Sequence, residues 1–335
     1  MVIAIDAMGG DHGITVTVPA AVRFLAGHPT VELILVGDVE VLQTALATHH
    51  YDANRLTLLH ASQQVSMDDD PVSVLRTKKD SSMRVAINLI KEEKAHACVS
   101  AGNTGALMAT AHFVLKMLPG IDRPAIISAF PTYKANKNMR MLDLGANVDS
   151  SAETLAQFAV MGSVLTTTLD NIQNPTVYLL NIGEEEIKGN EQVKQTARLL
   201  SELPWINYAG FIEGDAIYNG KADVIVCDGF VGNVALKTTE GSVIFVIKLI
   251  KEAFMKNGFT RLLGLLVTPI LKSMKKRIDP ARYNGAILIG LNGIVIKSHG
   301  SAHIEAFMNA ILEAMQVAEK NIIVRIREKI EQHNL

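Results

Sequence analysis

Short apolar runs alternate along the chain with longer amphipathic segments, and this alternation is the feature that most restricts the fold. Runs such as VIAID, VELILVG, ACVSA, MRMLDLG and DVIVCDG are rich in Val, Ile and Leu, and helical periodicity occupies most of the intervals between them. Near-continuous apolar strands separated by helices are typical of parallel sheets that helices cover on both faces. The sequence therefore predicts an α/β protein with an open, mostly parallel sheet and a second sheet region.

No linker divides the chain. Its 335 residues are enough for two lobes, but no Pro- or Ser-rich stretch, low-complexity segment or repeat marks a boundary between them. We therefore expect residues 1–335 to form a single two-lobed α/β unit whose lobes are free to exchange strands, with the lobe boundary left open.

Charge and cysteine content exclude several classes of protein. The formal net charge of -2 gives no general attraction to nucleic acid. Cys98 and Cys227 form no CxxC motif, zinc spacing or disulfide framework. Asp6 interrupts the first apolar run, so we expect no signal peptide, and no uncharged run reaches the about 18 residues of a spanning helix. These features predict a cytoplasmic protein with buried thiols.

One segment departs from the alternation. Residues 241–277 predict a helical hairpin whose two stretches meet near Asn257 and Gly258, with Pro269 bending or breaking the second stretch. In the second stretch apolar side chains repeat at helical spacing, and most basic residues lie off that stripe or at its end. Two interpretations stay open: a core helix pair or dimer contact, and a tip that lies in a membrane surface. For the membrane interpretation the contact residues are Leu262, Leu263, Leu266, Ile270, Lys272, Lys275 and Lys276.

Glycine and polar residues cluster where predicted strands end. The first strand leads into MGGD, and five later strands lead into SAGNTGA, DLGAN, NIGEEEIKGN, CDGFVGN and IKSHGSA. Ligands of open α/β sheets bind at the carboxyl ends of the strands, where free amides and helix starts favour an anion. Any one of these stretches is explained by a tight turn. Five together predict an amide-rich cleft suited to a phosphate and a polarised carbonyl.

Several well-defined motifs are absent from the sequence. It contains no G-x-G-x-x-G dinucleotide fingerprint after the first strand, no P-loop and no G-x-S-x-G nucleophile elbow. No cluster of His, Asp and Glu has metal-ligand spacing. We therefore expect neither a metal nor a cofactor.

Six stretches resemble, in order along the chain, the bacterial acyl-acyl-carrier-protein:phosphate acyltransferases of phospholipid synthesis. They are DAMGGD, SAGNTGA, DLGAN, NIGEEEIKGN, CDGFVGN and YNGAILIGLNGIVIKSHG. The resemblance implies a fold related to isocitrate dehydrogenase and phosphotransacetylase, and a homodimer. It implies transfer of a long acyl chain from acyl carrier protein to inorganic phosphate. It also implies peripheral attachment to the membrane, near the glycerol-3-phosphate acyltransferase that uses the product.

The chemistry of such a transfer fits the motifs that are present and absent. Phosphate is largely a dianion near neutrality, so it needs positioning rather than a general base. Amide donors stabilise the oxyanion that develops on the thioester carbonyl, by about 3 kcal/mol each. A thiolate with a conjugate pKa of about 8.5 leaves readily. The reaction requires no nucleophilic Ser or Cys and no metal.

These requirements assign roles to residues at the strand ends. The catalytic candidates are Asn103, Lys188 and His299. The substrate-binding candidates are Gly9, Gly10, Ser100, Gly102, Thr104, Gly105, Asn147, Asn233 and Lys297. Lys188 would supply positive charge, and His299 would polarise phosphate or protonate the thiolate. The glycines of MGGD would let the backbone approach phosphate or the pantetheine arm closely. Asp6, Asp11 and Asp228 are expected to fix loops, because a bare carboxylate repels phosphate.

Three other functions stay open at this point. The first is a short-chain acyltransferase that resembles phosphotransacetylase and uses coenzyme A, for which a basic nucleotide-binding patch would be needed. The second is a dehydrogenase of the related fold, which would need an acidic metal site. The third is a non-catalytic scaffold attached to the membrane by the hairpin.

Overall fold

The computed structural model describes residues 1–135 and 137–333, apart from the side chains of residues 275–278 and 280. Within these residues eleven strands form one sheet. The strands are β1 (Val2–Asp6), β2 (Glu32–Gly37), β3 (Leu56–His60), β4 (Ala97–Ser100), β5 (Ala125–Pro131), β6 (Asn138–Leu142), β7 (Val177–Leu180), β8 (Tyr208–Ile212), β9 (Val224–Val226), β10 (Ala286–Ile289) and β11 (Ile294–Lys297). The helices are α1 (Ile14–Gly27), α2 (Val39–Leu46), α3 (Pro71–Thr77), α4 (Ser82–Lys91), α5 (Thr104–Leu115), α6 (Ala152–Leu169), α7 (Glu191–Ser201), α8 (Gly229–Met255), α9 (Gly258–Ile278), α10 (Ile304–Glu319) and α11 (Ile322–His333).

The sheet has the order β3-β2-β1-β4-β11-β10-β5-β6-β9-β7-β8. Neighbouring strands are parallel except in the middle, where β10 is antiparallel to β11 and β5, and β5 is antiparallel to β6. The open, mostly parallel α/β fold expected from the sequence is confirmed, but the described strands form one continuous sheet, so the expected second sheet region is wrong. Strand β11 comes from the last part of the chain but pairs in parallel with β4, so the carboxyl ends of β1, β4 and β11 lie together at one edge.

Helices cover both faces of the sheet, and each face has its own apolar core. Consecutive residues of a strand point to opposite faces, so Ile3 and Ile5 of β1 enter one core and Ala4 enters the other. Both cysteines are buried and unpaired, as the sequence predicts. Burial raises the pKa of both thiols well above the ordinary value.

Helices α8 and α9 form the hairpin expected from the sequence. The junction is confirmed: α8 ends at Met255 and Asn257 caps α9, with its Oδ1 accepting from the Thr260 backbone N–H at 2.9 Å. Helix α9 continues through Pro269, so the break considered there is wrong. Helix α8 begins at Gly229, before the expected start of the hairpin.

The hairpin leaves a large apolar surface uncovered in the single chain. Its exposed apolar side chains include Phe245, Phe259, Leu262, Leu265, Leu266 and Ile270. The interpretation as a core helix pair is therefore wrong for this chain, whereas a dimer contact and a membrane contact both remain compatible with the exposure. Contrary to the sequence expectation, α8 is long and apolar enough to cross a membrane, judged by length and composition alone. The side chains of Lys275 and Lys276 lie outside the described residues.

Candidate active site

The carboxyl ends of β1, β4 and β11 form the floor of the candidate site. The register pairs Asp6 with Ser100 and Ser100 with Lys297, so these three side chains share one face of the sheet. Asp6 accepts hydrogen bonds from the hydroxyls of Ser100 and Ser82, both at 2.6 Å. All four residues are buried. Asp6 therefore fixes the loops around it, as expected.

Burial and charge oppose each other in this floor. Burial raises the pKa of Asp6, although the two serine hydroxyls act in the opposite direction. Burial lowers the pKa of Lys297 to about 8, while the negative charges of Asp11 and Asp6 favour its ammonium form. The ammonium donates to the carbonyl oxygens of Ala101 and Ser298. Lys297 thus places one buried, titratable positive charge at the sheet edge.

The glycines of the first loop serve contacts within the protein. A Cβ on Gly9 would lie 2.5 Å from Asp6 Oδ2 and 2.9 Å from the Gly102 nitrogen. Gly10 has a φ of +88°, and a Cβ there would lie 3.0 Å from the Gly300 carbonyl oxygen. The glycines therefore let the backbone approach the neighbouring loops closely, and the predicted approach of this backbone to phosphate or the pantetheine arm stays a prediction.

These packed loops keep backbone donors available. In the part of the chain that the structure describes, the N–H groups of Gly9, Gly10 and Gly300 have no hydrogen-bond acceptor. The first-turn N–H groups of Thr104 and Gly105 at the start of α5 are likewise unpaired there, and both residues are exposed. Such donors, with the positive end of a helix, suit an anion.

Asn103 has no amide hydrogen left for a substrate. Its Oδ1 accepts from the Ala106 backbone N–H at 2.9 Å and so caps α5. Its Nδ2 donates to the carbonyl oxygens of Met67 at 2.6 Å and Asp69 at 3.1 Å. The structure therefore gives Asn103 the role of holding the 67–69 segment on the helix start, and its catalytic role stays a prediction.

His299 presents a neutral ring. Its Nδ1 accepts from the Ser301 backbone N–H at 3.2 Å, which leaves the proton of the neutral ring on Nε2. Partial burial, followed by the positive charge of Lys237, lowers its pKa. At neutral pH the ring therefore acts as an Nε2–H donor and carries no charge.

In the loop after β6 the backbone N–H groups donate to a carboxylate of the protein itself. Asp143 accepts from the backbone N–H groups of Ile126, Ala146 and Asn147 at 3.0, 2.9 and 2.8 Å. These bonds oppose burial, which raises its pKa. The Asn147 amide donates to the Pro124 carbonyl at 2.7 Å and to Asp143 at 2.9 Å. The DLGAN amides expected to face a substrate are thus occupied, and Asn147 holds the loop.

The start of α8 lies at the carboxyl end of β9, which runs opposite to β1, β4 and β11. Asp228 caps the helix by accepting from the Val231 backbone N–H at 2.8 Å, so its expected loop-fixing role is confirmed. A Cβ on Gly232 would lie 1.8 Å from the Asp143 carbonyl oxygen, which shows how closely α8 packs on the end of β6. Asn233 is exposed, and its side chain makes no hydrogen bond within the described residues.

Lys188 lies apart from the floor of the site. It is exposed on the loop between β7 and α7, and its backbone is held by bonds to Glu185 and Asn181. Among residues 1–135 and 137–333 no ion pair or hydrogen bond joins its side chain to the loops after β1, β4 or β11. Its catalytic role stays a prediction.

Lys237 is a cation that the sequence analysis did not select. Its charge lowers the pKa values of both His299 and Lys297, so α8 brings it close to the end of β11. Its Nζ pairs with Glu240 Oε2 at 2.8 Å. Lys237 follows Asn233 by one helical turn, and this i, i+4 spacing on one face was the signal that could have identified it.

Comparison with known proteins decides the family. A family model described as "Fatty acid synthesis protein" matches residues 1–325. The chain belongs to this family. It is 58% identical to the phosphate acyltransferase of Nitrosococcus oceani over 330 residues, which cover 98% of this chain and 96% of that relative. It is 54% identical to the phosphate acyltransferase of Legionella pneumophila over 329 residues, with the same shares covered.

A solved structure supports the fold. The EutD phosphotransacetylase from Staphylococcus aureus matches with a TM-score of 0.61 at 18% sequence identity, covering 96% of this chain and 94% of that one. At this identity the likeness concerns the fold alone. The family and the acyltransferase class expected from the six motifs are confirmed by the sequence relatives.

Proposed function

We propose that this enzyme transfers a long-chain fatty acyl group from acyl carrier protein to inorganic phosphate, giving acyl phosphate for phospholipid synthesis. The observation that carries the proposal is the floor of the cleft. There the buried ammonium of Lys297 lies at the same sheet edge as the unpaired N–H groups of Gly9, Gly10 and Gly300. A positive charge among free amides fits a small dianion.

In the proposed mechanism phosphate attacks the thioester directly. The N–H groups and Lys297 hold the dianion, with Lys237 as a second cation. A phosphate oxygen bonds to the carbonyl carbon, and the carbonyl oxygen becomes an oxyanion for which the Asn233 amide is a donor. The carbon–sulfur bond then breaks with its electron pair on sulfur, and the thiolate takes a proton from solvent. His299 Nε2–H donates to a phosphate oxygen.

The thiols of the enzyme are poor candidates for a covalent route. Cys98 and Cys227 are buried, and burial raises their pKa values, so both stay protonated at neutral pH. The thiolate is the reactive form of cysteine. This supports attack by phosphate itself.

The proposal is tested with purified enzyme, phosphate and palmitoyl-acyl carrier protein, trapping acyl phosphate with hydroxylamine. A parallel reaction contains palmitoyl- or acetyl-coenzyme A. We expect trapped product from the carrier thioester at a much higher kcat/KM. A preference for acetyl-coenzyme A would favour the short-chain alternative, and no product from any thioester would favour a non-catalytic scaffold.

We further propose that the enzyme is a cytoplasmic homodimer attached peripherally to the membrane by the α8–α9 hairpin. Exposed leucines on α9 and the cation Lys272 support a contact with anionic lipid. A groove of about 480 Å³ between the two helices is lined mainly by apolar side chains. Release beside the bilayer would spare the acyl chain contact with water, worth about 0.8 kcal/mol per methylene, and deliver it to the glycerol-3-phosphate acyltransferase.

A further inference from the structure

A basic aromatic patch lies on α4 and α5, outside the candidate active site. It consists of Arg84, Phe113 and Lys116. The ring of Phe113 is 55% exposed. The guanidinium carbon of Arg84 and the ammonium nitrogen of Lys116 each lie 4.9 Å from the centre of that ring. Both cations are therefore in range for a cation–π contact with one exposed aromatic side chain.

The two cations of the patch lack acidic partners. Within the described residues no carboxylate lies at ion-pair distance from Arg84 or Lys116. Like charges held over one ring repel each other, and Arg84 is half-buried, so it is less screened by water than a free surface arginine. A group with negative charge would complete the patch. Arginine and exposed aromatic residues are also the types enriched in protein interfaces.

The patch lies on two helices that begin at the cleft. Helix α4 begins at Ser82, whose hydroxyl donates to Asp6 in the floor of the site. Helix α5 begins at Thr104, where the unpaired first-turn amides lie. At a rise of about 1.5 Å per residue, Phe113 lies roughly 14 Å along α5 from that start. A partner bound at the patch would therefore be within reach of the cleft through a flexible arm.

We propose that the basic aromatic patch is the docking surface for an acidic acyl carrier protein. This inference rests on the proposed function, which requires such a carrier to present its thioester. The whole enzyme carries a formal net charge of -2, so an acidic protein gains no attraction from the molecule at large and needs a local basic surface. Carboxylates of the carrier would pair with Arg84 and Lys116, and one of its apolar side chains would cover Phe113. Complementary charge of this kind mainly accelerates association and weakens as salt rises.

The test is the double variant Arg84→Glu/Lys116→Glu, assayed with palmitoyl-acyl carrier protein. We expect the KM for the carrier substrate to rise at least tenfold, with kcat and the KM for phosphate unchanged. The dependence of kcat/KM on salt should also become weaker. Turnover of a small palmitoyl-N-acetylcysteamine thioester should stay at the wild-type rate, which also reports that the variant is folded.

Two further variants make the test specific. Arg23→Glu is the matched control. Arg23 is exposed and makes no ion pair among the described residues. It lies on α1, which packs on the opposite face of the sheet from α4 and α5. Arg23→Glu should leave the carrier KM unchanged. Phe113→Ala removes only the ring and should raise the carrier KM several-fold, so it tests the patch if the double variant fails to fold.

Several results would overturn the docking proposal. One is a wild-type carrier KM in both patch variants. Another is an equal rise in Arg23→Glu, which would indicate an effect of net charge. A third is a higher carrier KM in the hairpin variant Lys251→Glu/Lys272→Glu together with an unchanged carrier KM in the patch variants. If the wild-type enzyme turns over only coenzyme A thioesters, the proposed function fails instead. Binding of the unacylated carrier then still decides the patch, and equal binding to wild type and variants contradicts it.

Discussion

The ammonium group of Lys297 is buried, and opposing effects set its pKa. Burial lowers its pKa to about 8, whereas Asp11 and Asp6 favour the charged form. The ammonium therefore predominates at neutral pH. Phosphate loses its second proton near pH 6, so the dianion and the ammonium coexist from roughly pH 6 to 8.

Removing this charge should weaken phosphate binding. We expect Lys297→Met to raise the KM for phosphate at least tenfold, because it deletes a charge-assisted hydrogen bond worth about 1.5–3 kcal/mol. In the wild-type enzyme the same KM should rise above about pH 8, as Lys297 loses its proton. Initial rates across this pH range measure both effects, with Lys272→Met on the hairpin as the control. A flat wild-type profile would argue against the assignment.

The same shift predicts a pH-dependent effect on stability. Folding lowers the pKa of Lys297 from 10.5 to about 8, so the unfolded chain binds more protons between these values. The net shift in pKa therefore lowers the stability of the folded state by roughly 3 kcal/mol below pH 8, and this loss disappears as the pH rises to 10.5. Lys297→Met should be more stable than wild type at pH 7, by a margin that shrinks at higher pH. Urea unfolding at pH 7 and 10 tests this, and an unchanged margin would contradict it.

Asn103 and Asn233 should respond differently to removal of the amide. Asn103→Ala loses a helix cap, which typically costs about 1 kcal/mol, and two bonds that hold the 67–69 segment. We expect a lower melting temperature. Asn233→Ala breaks no hydrogen bond in the described structure, so it should slow turnover without changing the melting temperature. Parallel thermal melts and kinetics compare the two variants, and the opposite pattern would support a catalytic role of Asn103.

Sequence patterns located polar residues at the ends of strands but not the partners of their side chains. The chain positions of Asn103, Asn147 and Lys297 were identified correctly as strand ends. The amide hydrogens of Asn103 and Asn147 are bound by carbonyls of Met67 and Pro124, which are distant in sequence. Spacing in the sequence carries no information about such pairings. The same reason explains why the burial of Lys297 was not foreseen.

At the scale of elements, apolar runs identified the strands but not all their directions. The apolar stretch AILIGLNGIVIKSHG contains two strands, β10 and β11, and they pair antiparallel. The direction of a strand in the middle of the sheet depends on which other strands pair with it. Tertiary packing decides this pairing, and the apolar pattern of a single strand does not. Asp, Asn and Ser residues cap most helices that follow strands, and these residue types are the usual N-terminal caps of helices.

The hairpin contact is tested by acidic substitutions on the exposed face of α9. Leu262→Glu/Leu266→Glu changes two side chains that are 58% and 70% exposed. We expect loss of binding to anionic phosphatidylglycerol vesicles, with the oligomeric state and the activity in solution unchanged. Val324→Glu, an exposed apolar site on α11, is the control. Dissociation into monomers would instead assign these leucines to the subunit contact.

At the scale of the whole molecule, the candidate site depends on both ends of the chain. The first strand and the late strand β11 lie on either side of β4, and α8 brings Lys237 close enough to act on His299 and Lys297. The parallel strands on one side of the sheet, β1 to β4 and β11, run opposite to those on the other side, β6 to β9. The antiparallel pairs in the middle of the sheet cause this change of direction. The resemblance of six motifs, in their order along the sequence, predicted this family, and the family model over residues 1–325 confirms it.

The central claim is that phosphate itself attacks the carrier thioester in this cleft. The most direct measurement follows release of the carrier thiol, together with the intact mass of the enzyme, with and without phosphate. We predict thiol release only when phosphate is present, one acyl phosphate formed per thiol, and no acylated enzyme at any time. Thiol release without phosphate, accompanied by an enzyme heavier by one acyl group, would contradict the claim.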